Sequence, residues 1–430
     1  VVLFLSRPGY LERLPNGQLF DRVIDPLLFT ASHHVSAAKA YFGMPGHEHF
    51  MQGHLVKAAV WDALRRPTRR RIVGRDRDLA IGRSDSSNSL SLFESELFKL
   101  PLVVDVKGSN AFEDRVKSAF SAFYWSYAEA QRVFDCMPMI QKVFTTSWYF
   151  PDMMGFVAAA FQRGIATVDV QHGKQGPYQG MYSGWNLIGS SGYSSMPGGF
   201  WCWGEISAGH IMRASPSRLV HRAFVGGYAW PKWYRMFSYR CRDRLSTAPA
   251  GDVTPSDGSQ GSRAKAVRVL FTLQPGNNSG EPTVPPALTE LAQQSGTAVQ
   301  VRLRNHPNFP AGEALIKELV INAPQGNIES SVKGRPLFED LAWATHHLTY
   351  FSSCSVEAPS FGAASAVIGV EAREIYQDQI ECGELAWVSE LTVPWLRRWL
   401  TAPQVVNTKA GTWIDARIPD VELVLEGVQV

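Results

Sequence analysis

A histidine followed by glycine, at the end of an apolar run, is the first feature of the sequence that could do chemistry. The run Val168–Lys174 is typical of a buried strand that delivers His172 to the edge of a sheet, where Gly173 lets the backbone turn. A histidine at such an edge titrates near neutrality and accepts a proton from an attacking hydroxyl. Asp169 is the other plausible carboxylate base. We therefore predict His172 and Asp169 as catalytic residues; the alternative is a hydrogen-bonded histidine that caps a loop.

The loop after this histidine is polar and glycine-rich and carries aromatic rings. Hydrogen-bonding groups beside rings suit a hydroxyl-rich acceptor, because ring faces stack on the C–H faces of sugars. The predicted acceptor-binding residues are Gln171, Lys174, Tyr178, Tyr182 and Trp185.

Two further features, later in the chain, follow apolar strands and could bind a phosphate. Gln274 stands at the exit of Val267–Leu273, and the run Val301–Pro307 alternates apolar and cationic residues before it ends in His306-Pro307. Arg304 and His306 can both donate hydrogen bonds to a phosphate or pyrophosphate. The alternatives are an ordinary turn at Gln274 and a salt-bridged edge strand at Val301–Pro307.

A fourth feature is the run Tyr350–Ala358, where a strand breaks into serines at the start of a helix. Free N–H groups and the helix dipole favour an anion at such a place, although serine is also a common N-cap. The predicted donor nucleotide- and phosphate-binding residues are Gln274, Arg304, His306, Ser352, Ser353, Ser355 and Glu357.

Alternating strand and helix signals must position these residues. The 430 residues exceed what one hydrophobic core usually serves. The run 246–266 is rich in Ser, Gly, Pro and Asp and predicts a linker or disordered loop. We therefore predict an N-terminal acceptor-binding domain over 1–245 and a C-terminal nucleotide-sugar-binding domain over 267–430, whose tail could pack back on the first domain.

Short apolar runs predict the strands, and the helices lie between them. In the first half the strands are Val1–Ser6, Leu102–Val106, Lys142–Thr146, Ala166–Val170, Gly199–Trp203 and Arg222–Val225, with a helix over Pro151–Arg163. In the second half the strands are Val267–Leu273, Ala298–Leu303, His347–Phe351 and Ala366–Val370, and the helices are Pro285–Gln294, Ala311–Val320, Ser353–Phe361 and Arg373–Cys382. This pattern predicts an α/β fold of two Rossmann-like doubly wound domains that face a central cleft.

His306-Pro307 and Ser352-Ser353, in this order, resemble motifs of bacterial GT-B glycosyltransferases of surface-polysaccharide synthesis. That group includes bacterial sialyltransferases, polysialyltransferases and Kdo transferases, which use CMP-sugars; Gln274-Pro275 is also similar to the Gln-Pro motif of the Kdo transferases. The resemblance covers residues 165–390 as a pattern and implies that both motifs contact the nucleotide phosphate. Where the group has an acidic-acidic-Gly motif, this chain has Gln171-His172-Gly173, which resembles the His-Gly motif of CDP-glycerol glycerophosphotransferases, in which the histidine is the proposed base.

The composition limits the kinds of partner that the protein could bind. The formal net charge of +3 is too small to indicate nucleic acid, and the basic run Arg65–Arg77 could contact anionic lipid or remain a solvated loop. The five cysteines are widely spaced, and the opening Val1–Ser6 lacks the features of a secretory signal, so we expect a cytoplasmic protein, peripheral at the inner membrane. Without an Asp-x-Asp element in a suitable place, we expect catalysis without a metal or a cofactor.

We therefore predict a GT-B glycosyltransferase that moves a sugar, with a CMP-sugar favoured as donor, to a surface polysaccharide or glycolipid acceptor. Two alternatives stay open. One is a CDP-polyol phosphotransferase of the CDP-glycerol type, which fits the His-Gly element. The other is a non-catalytic glycan-binding module.

Overall fold

The structure is a computed structural model. It describes residues 1–7, 10–13, 19–32, 37–41, 110–185, 192–215, 220–234, 267–274, 283–306, 311–323, 327–332, 335–402 and 414. The predicted linker 246–266, the predicted strand Leu102–Val106, the basic run Arg65–Arg77, Pro275 and Pro307 lie outside these residues. The domain boundaries therefore stay a prediction.

The first half forms a parallel sheet of six strands. Its strands are β1 (Val2–Ser6), β4 (Ala37–Tyr41), β5 (Lys142–Thr145), β6 (Ala166–Val170), β7 (Gly199–Cys202) and β8 (Arg222–Val225), in the order β4-β1-β5-β6-β7-β8. A short antiparallel hairpin of β2 (Leu11–Arg13) and β3 (Leu19–Asp21) follows β1. The helices are α1 (Asp25–Ser32), α2 (Asn110–Cys136), α3 (Pro151–Gln162) and α4 (Glu205–Ala214).

The second half repeats this architecture. Its parallel sheet has the order β11-β10-β9-β12-β13-β14, which is the doubly wound order of a Rossmann fold. The strands are β9 (Val267–Thr272), β10 (Val299–Arg304), β11 (Ile328–Ser330), β12 (His346–Thr349), β13 (Ala364–Ile368) and β14 (Leu385–Val388). The helices are α5 (Pro286–Ser295), α6 (Ala311–Ile321), α7 (Leu337–Trp343), α8 (Cys354–Glu357), α9 (Val370–Ile375), α10 (Gln377–Glu381) and α11 (Val393–Thr401).

The predicted α/β fold with two Rossmann-like doubly wound domains is confirmed. Every predicted strand that falls on described residues is present, and most are apolar runs buried in the sheet; Arg222–Val225, at the sheet edge, is the partly exposed exception. Helix α3 begins at a proline, which needs no N–H partner there, and it buries Met153, Phe156 and Ala160 at helical spacing.

Two predicted helices are broken in the structure. The prediction Ser353–Phe361 is wrong in its continuity, because one α-helical turn, α8, passes into a 3₁₀ turn at Ala358–Phe361 that contains Pro359. Proline lacks the N–H that a continuing α-helix would use. The prediction Arg373–Cys382 is divided at Tyr376 into α9 and α10, and the Tyr376 hydroxyl donates to the carbonyl of Phe351 (3.0 Å).

The two halves share a buried interdomain aromatic cluster, which consists of Phe20, Trp203, Tyr228, Trp230 and Phe338. Trp203 stacks on Tyr228 with ring centroids 4.1 Å apart, and Trp230 meets Phe338 of the second half at 5.0 Å. Ile414, from the C-terminal tail, packs against the same cluster. Part of the chain's aromatic content thus joins the halves rather than lining a sugar site.

Candidate functional site

His172 lies two residues beyond the end of β6, at the carboxyl edge of the first sheet, and hydroxyl groups surround its imidazole ring. Its Nε2 is 3.2 Å from the Oγ of Ser147 and 3.3 Å from the hydroxyl of Tyr149. Tyr10, whose ring centroid is 5.2 Å from that of His172, brings its own hydroxyl within 2.6 Å of the Ser147 Oγ. Hydroxyls both donate and accept, so these groups can serve a neutral or a protonated imidazole.

Burial, with a smaller contribution from the positive charges of Arg22 and Arg7, lowers the pKa of His172 to about 4. The ring is therefore neutral at physiological pH and can accept a proton. A base of such low pKa is weak, but a bound phosphate would favour the imidazolium and raise the pKa toward the range of a general base.

Asp169, the second predicted catalytic residue, is fully buried behind this edge. Its carboxylate accepts hydrogen bonds from the hydroxyl of Tyr182 (2.8 Å) and the backbone N–H of Trp148 (3.1 Å). Burial raises its pKa to about 8. A carboxyl group that is closed off in this way and protonated at neutral pH holds the segments around it together, and it is not positioned to act as the predicted base.

Three of the predicted acceptor-binding residues are also buried inside the first half. Gln171 accepts from the N–H of Trp203 (2.7 Å) and donates to the carbonyl of Gly173 (2.8 Å) and to Ser207 (3.1 Å). Tyr182 bonds to Asp169, and Trp185 packs with the apolar core. These side chains shape the loop instead of presenting themselves to a ligand.

The other two predicted acceptor-binding residues differ from these. Tyr178 is exposed. The Nζ of Lys174 lies 4.0 Å from the centroid of the Tyr376 ring, so this lysine reaches the second half of the chain. Burial lowers the pKa of Lys174 to about 7. Lys174 thus lies between the two halves, where it can meet a donor as well as an acceptor.

The predicted donor residues follow neighbouring strands of the second sheet. The pairing of β9 with β10 ends where Leu273 N donates to the carbonyl of Arg304 (2.9 Å), so Gln274 and His306 both lie just beyond it. The strand β12 pairs with the other side of β9 and leads into Ser352 and Ser353. The strand order reverses between β9 and β12, which is where doubly wound sheets bind ligands. His306 is half-buried, and burial lowers its pKa.

Arg304 is less available than predicted, because its Nη1 is held by Asp340 (2.6 Å) and the carbonyl of Arg335 (2.9 Å). Arg302, two residues earlier, pairs with Asp340 (3.1 Å) and with Glu329. The ion pairs of the alternative interpretation, a salt-bridged edge strand, are therefore present for both arginines, but β10 lies between β11 and β9 and is not an edge strand.

The serines differ in what their hydroxyls do. Ser355 is fully buried and donates to the carbonyl of Ser352 (2.9 Å), and the Oγ of Ser352 accepts from Cys354 N (3.3 Å). Ser353 precedes α8 without a side-chain capping bond and is partly exposed. Among the three, Ser353 has its hydroxyl best placed for a ligand.

Glu357, predicted on the donor side, links the two halves. Its carboxylate accepts two bonds from Arg22 (3.0 and 3.2 Å) and one from the hydroxyl of Tyr228 (3.0 Å). Glu12 of the β2–β3 hairpin makes a second connection, since it accepts from Leu337 N at the start of α7 (3.2 Å).

The histidine and serine features meet across the cleft. A Cβ atom built on Gly173 would lie 3.8 Å from the Oγ of Ser353. The His-Gly turn of the first sheet and the Ser-Ser turn of the second are therefore in close approach. Nothing in the sequence alone required two turns about 180 residues apart to touch.

Sequence reasoning missed the hydroxyls of Tyr10, Ser147 and Tyr149, together with Arg7 and Arg22. The rule that ligands bind at carboxyl strand ends could have found Ser147, because it follows the correctly predicted strand at Lys142. The others come from a hairpin and a turn that no motif marked.

Metal and membrane features were searched in the described ranges. There, no group of three or more His, Cys, Asp or Glu side chains could hold a metal ion. Within the same ranges, no helix is long and apolar enough to cross a membrane.

The sequence matches no protein-family model and no curated protein. Solved structures do match. The UDP-GlcNAc 2-epimerase of Neisseria meningitidis bound to UDP-GlcNAc superposes with a TM-score of 0.53 and 13% identity, over 99% of this chain and 98% of that one. The S. aureus MnaA–UDP structure gives a TM-score of 0.52 and 12% identity, over 99% and 95% of the two chains. A further UDP-N-acetylglucosamine 2-epimerase gives 0.52 and 13%, over 99% and 94%. At this identity the likeness shows the fold, which is GT-B.

Proposed function

We propose that this chain is a GT-B glycosyltransferase that moves a sugar from a nucleotide-activated donor to a polysaccharide or glycolipid acceptor. One observation carries the proposal: the turn that holds a neutral, hydroxyl-bonded histidine touches the turn that holds Ser353. A base for the acceptor and a polar edge for the donor phosphate then lie on two turns that approach each other across the cleft.

The transfer divides between the two halves. His172 takes the proton of the acceptor hydroxyl, and the acceptor oxygen attacks the anomeric carbon of the donor. The bond from that carbon to the phosphate oxygen breaks, and the electron pair leaves with the phosphate. His306 and Ser353 would donate hydrogen bonds where this negative charge develops, and such stabilisation is often the largest single contribution to catalysis.

The resemblance of His306-Pro307 and Ser352-Ser353 favours a CMP-sugar as donor. Two of the solved structures named above contain UDP-GlcNAc or UDP, so uridine nucleotides are the natural competitors. They also favour a second candidate function. A chain that matches UDP-GlcNAc 2-epimerases over 99% of its length could epimerise a nucleotide sugar without any acceptor.

Two histidine variants test the division of labour. His172→Ala should lower kcat by about 10²–10⁴, the usual contribution of a general base, with nucleotide affinity within about twofold of wild type. His306→Ala is the matched control on the other half and should weaken nucleotide binding measured by calorimetry. Loss of nucleotide binding in His172→Ala would move this residue to the donor side and contradict the assignment.

A ligand and product screen separates the candidate functions. CMP, CDP, UDP, GDP and dTDP are titrated first, and the corresponding activated donors are then incubated with and without acceptor glycans. A product heavier than the acceptor by one sugar supports the proposal, whereas a mass gain of glycerol phosphate supports the polyol phosphotransferase. Conversion of UDP-GlcNAc to an epimer without acceptor supports the second candidate, and glycan binding without nucleotide binding indicates a non-catalytic module.

We also propose where in the cell the reaction takes place. A glycolipid acceptor would bring the enzyme to the cytoplasmic face of the inner membrane. The basic run Arg65–Arg77 would then contact anionic headgroups. Sedimentation with anionic and with neutral vesicles tests this contact, and equal binding to both would contradict it.

A further inference from the structure

Ser147 has an unusual backbone conformation for its residue type. Among the described residues it is the one non-glycine with a positive φ, 56°. A side chain in this left-handed region is sterically disfavoured, and such strain persists only where the surrounding structure imposes it. Glycine would adopt the same conformation without cost. A serine at this position therefore provides a hydroxyl group but leaves the backbone in a strained conformation.

The hydroxyl of Ser147 is fully enclosed and has two partners. The side chain is buried, with the Tyr10 hydroxyl 2.6 Å away on one side and Nε2 of His172 3.2 Å away on the other. Burial raises the pKa of Tyr10, so Tyr10 stays protonated and can donate to Ser147. Ser147 can then donate its own proton to Nε2 of His172, which the Tyr149 hydroxyl also reaches at 3.3 Å.

Hydrogen bonds to backbone groups hold the turn that carries Ser147. Ser147 O accepts from Phe150 N (3.2 Å), and Asp169 accepts from Trp148 N (3.1 Å). The turn leads directly into α3 at Pro151. These bonds fix the backbone at Ser147, as they must if its hydroxyl is to orient another side chain.

We propose that Ser147 is a positioning residue, which orients the His172 ring and holds its Nε2 unprotonated for the acceptor's proton. The inference rests on the proposed function of His172 as the base. Because Ser147 is buried, it acts through His172 and does not touch substrate.

The protons balance over one catalytic cycle. In the resting enzyme the ring carries one proton, on Nδ1, and Nε2 accepts a bond from Ser147. Nε2 has a single lone pair, so the acceptor hydroxyl replaces Ser147 on it, and Ser147 turns its own proton to the hydroxyl of Tyr149. When the acceptor hydroxyl then loses its proton to Nε2, the ring becomes an imidazolium. After the product leaves, the imidazolium gives its proton to solvent and the first arrangement returns.

Two substitutions separate the hydroxyl from the backbone. Ser147→Gly removes the hydroxyl and suits the positive φ, while Ser147→Ala removes the same hydroxyl and keeps the strain. We expect Ser147→Gly to melt above Ser147→Ala, because glycine suits the positive φ, and to have kcat lowered about 10–100-fold, since a poorly placed catalytic group costs rates of this order. KM and nucleotide affinity should be unchanged. Ser147→Ala should lose the same activity and be less stable than Ser147→Gly.

A second readout does not depend on turnover. In protein labelled with ¹⁵N-histidine, the ring resonances of His172, assigned by their loss in His172→Ala, report which nitrogen carries the proton. Wild type should show one tautomer, with Nε2 unprotonated, and Ser147→Gly should show a mixture. This result stands even if His172 proves not to be the base, so the two proposals fail separately.

Two outcomes would overturn the inference. If Ser147→Gly keeps the wild-type kcat, the hydroxyl has no part in catalysis. If its His172 resonances match those of wild type, the hydroxyl does not position the ring.

Discussion

The Arg22–Glu357 pair should couple the stabilities of the two halves. Glu357 lies in the second half, with its side chain 2% exposed, and receives two hydrogen bonds from Arg22 of the first half. Removing one partner of a buried pair typically costs about 3–5 kcal/mol, because the remaining charge is left uncompensated. Arg22 keeps a longer contact with Glu12 at 3.9 Å, so we expect Glu357→Gln to cost about 3 kcal/mol, the low end of that range.

This cost can be converted into a melting shift. Unfolding entropy is roughly 2 cal/mol/K per residue, so a chain of this length that unfolds as one unit has an entropy near 0.9 kcal/mol/K. A loss of about 3 kcal/mol then lowers Tm by about 3 °C. If the halves melt in two steps, the pair stabilises their contact rather than either fold, and the variant should bring the lower transition down alone.

A double-mutant cycle measures the pair itself. Arg22→Met, Glu357→Gln and the double variant are unfolded in urea, and Tyr228→Phe serves as the control that removes one hydrogen bond to Glu357 but leaves the ion pair. We expect a coupling energy of about 2 kcal/mol or more for Arg22 with Glu357. A value under about 0.5 kcal/mol, as found for exposed pairs, would refute the idea that this contact joins the halves.

Two further predictions concern packing and pH. An added Cβ at Gly155 would overlap the backbone carbonyl of Phe123 in α2, so Gly155→Ala should destabilise the chain by up to about 3 kcal/mol, whereas Gly180→Ala, with open space around it, should not; equal urea midpoints for the two would contradict this. Burial lowers the pKa of His347 to about 3, so below pH 6.5 the unfolded chain binds that proton first and stability falls with acidification. His347→Gln should make the loss of stability between pH 6.5 and 4.5 shallower by about 1.4 kcal/mol per pH unit, and an unchanged slope in urea titrations would disprove it.

The sheets could be predicted because their signal is local. An apolar run such as Ala166–Val170 is buried on both faces wherever it lies in a parallel sheet, and its bounds were predicted as observed. The continuity of a helix could not be predicted in the same way. At the break at Tyr376, the side chain bonds to Phe351, 25 residues away, and the sequence does not show that contact. The edge strand Ala37–Tyr41 was missed, since its small and polar residues lack an apolar run.

The site was predictable in position but not in the detail of its contacts. Parallel strands bring their carboxyl ends to one edge, so His172, Gln274 and Ser353 were placed from the strand pattern alone. Which side chains face a ligand depends on partners that are distant in sequence. Gln171 is turned inward by Trp203 and Ser207, and Arg304 by Asp340; the sequence does not show those pairings.

The contacts between the halves bear on how the site could work. His172 comes from one sheet and Ser353 from the other, so their approach depends on whatever holds the halves together. The holding contacts are of two kinds: an aromatic cluster around Trp230 and Phe338, and polar links such as Arg22 with Glu357. Aromatic packing is insensitive to charge, whereas an ion pair beside the cleft responds to any anion that competes for its arginine. The polar link is therefore the part of this contact that a change of charge would weaken, while the aromatic cluster would still hold the halves together.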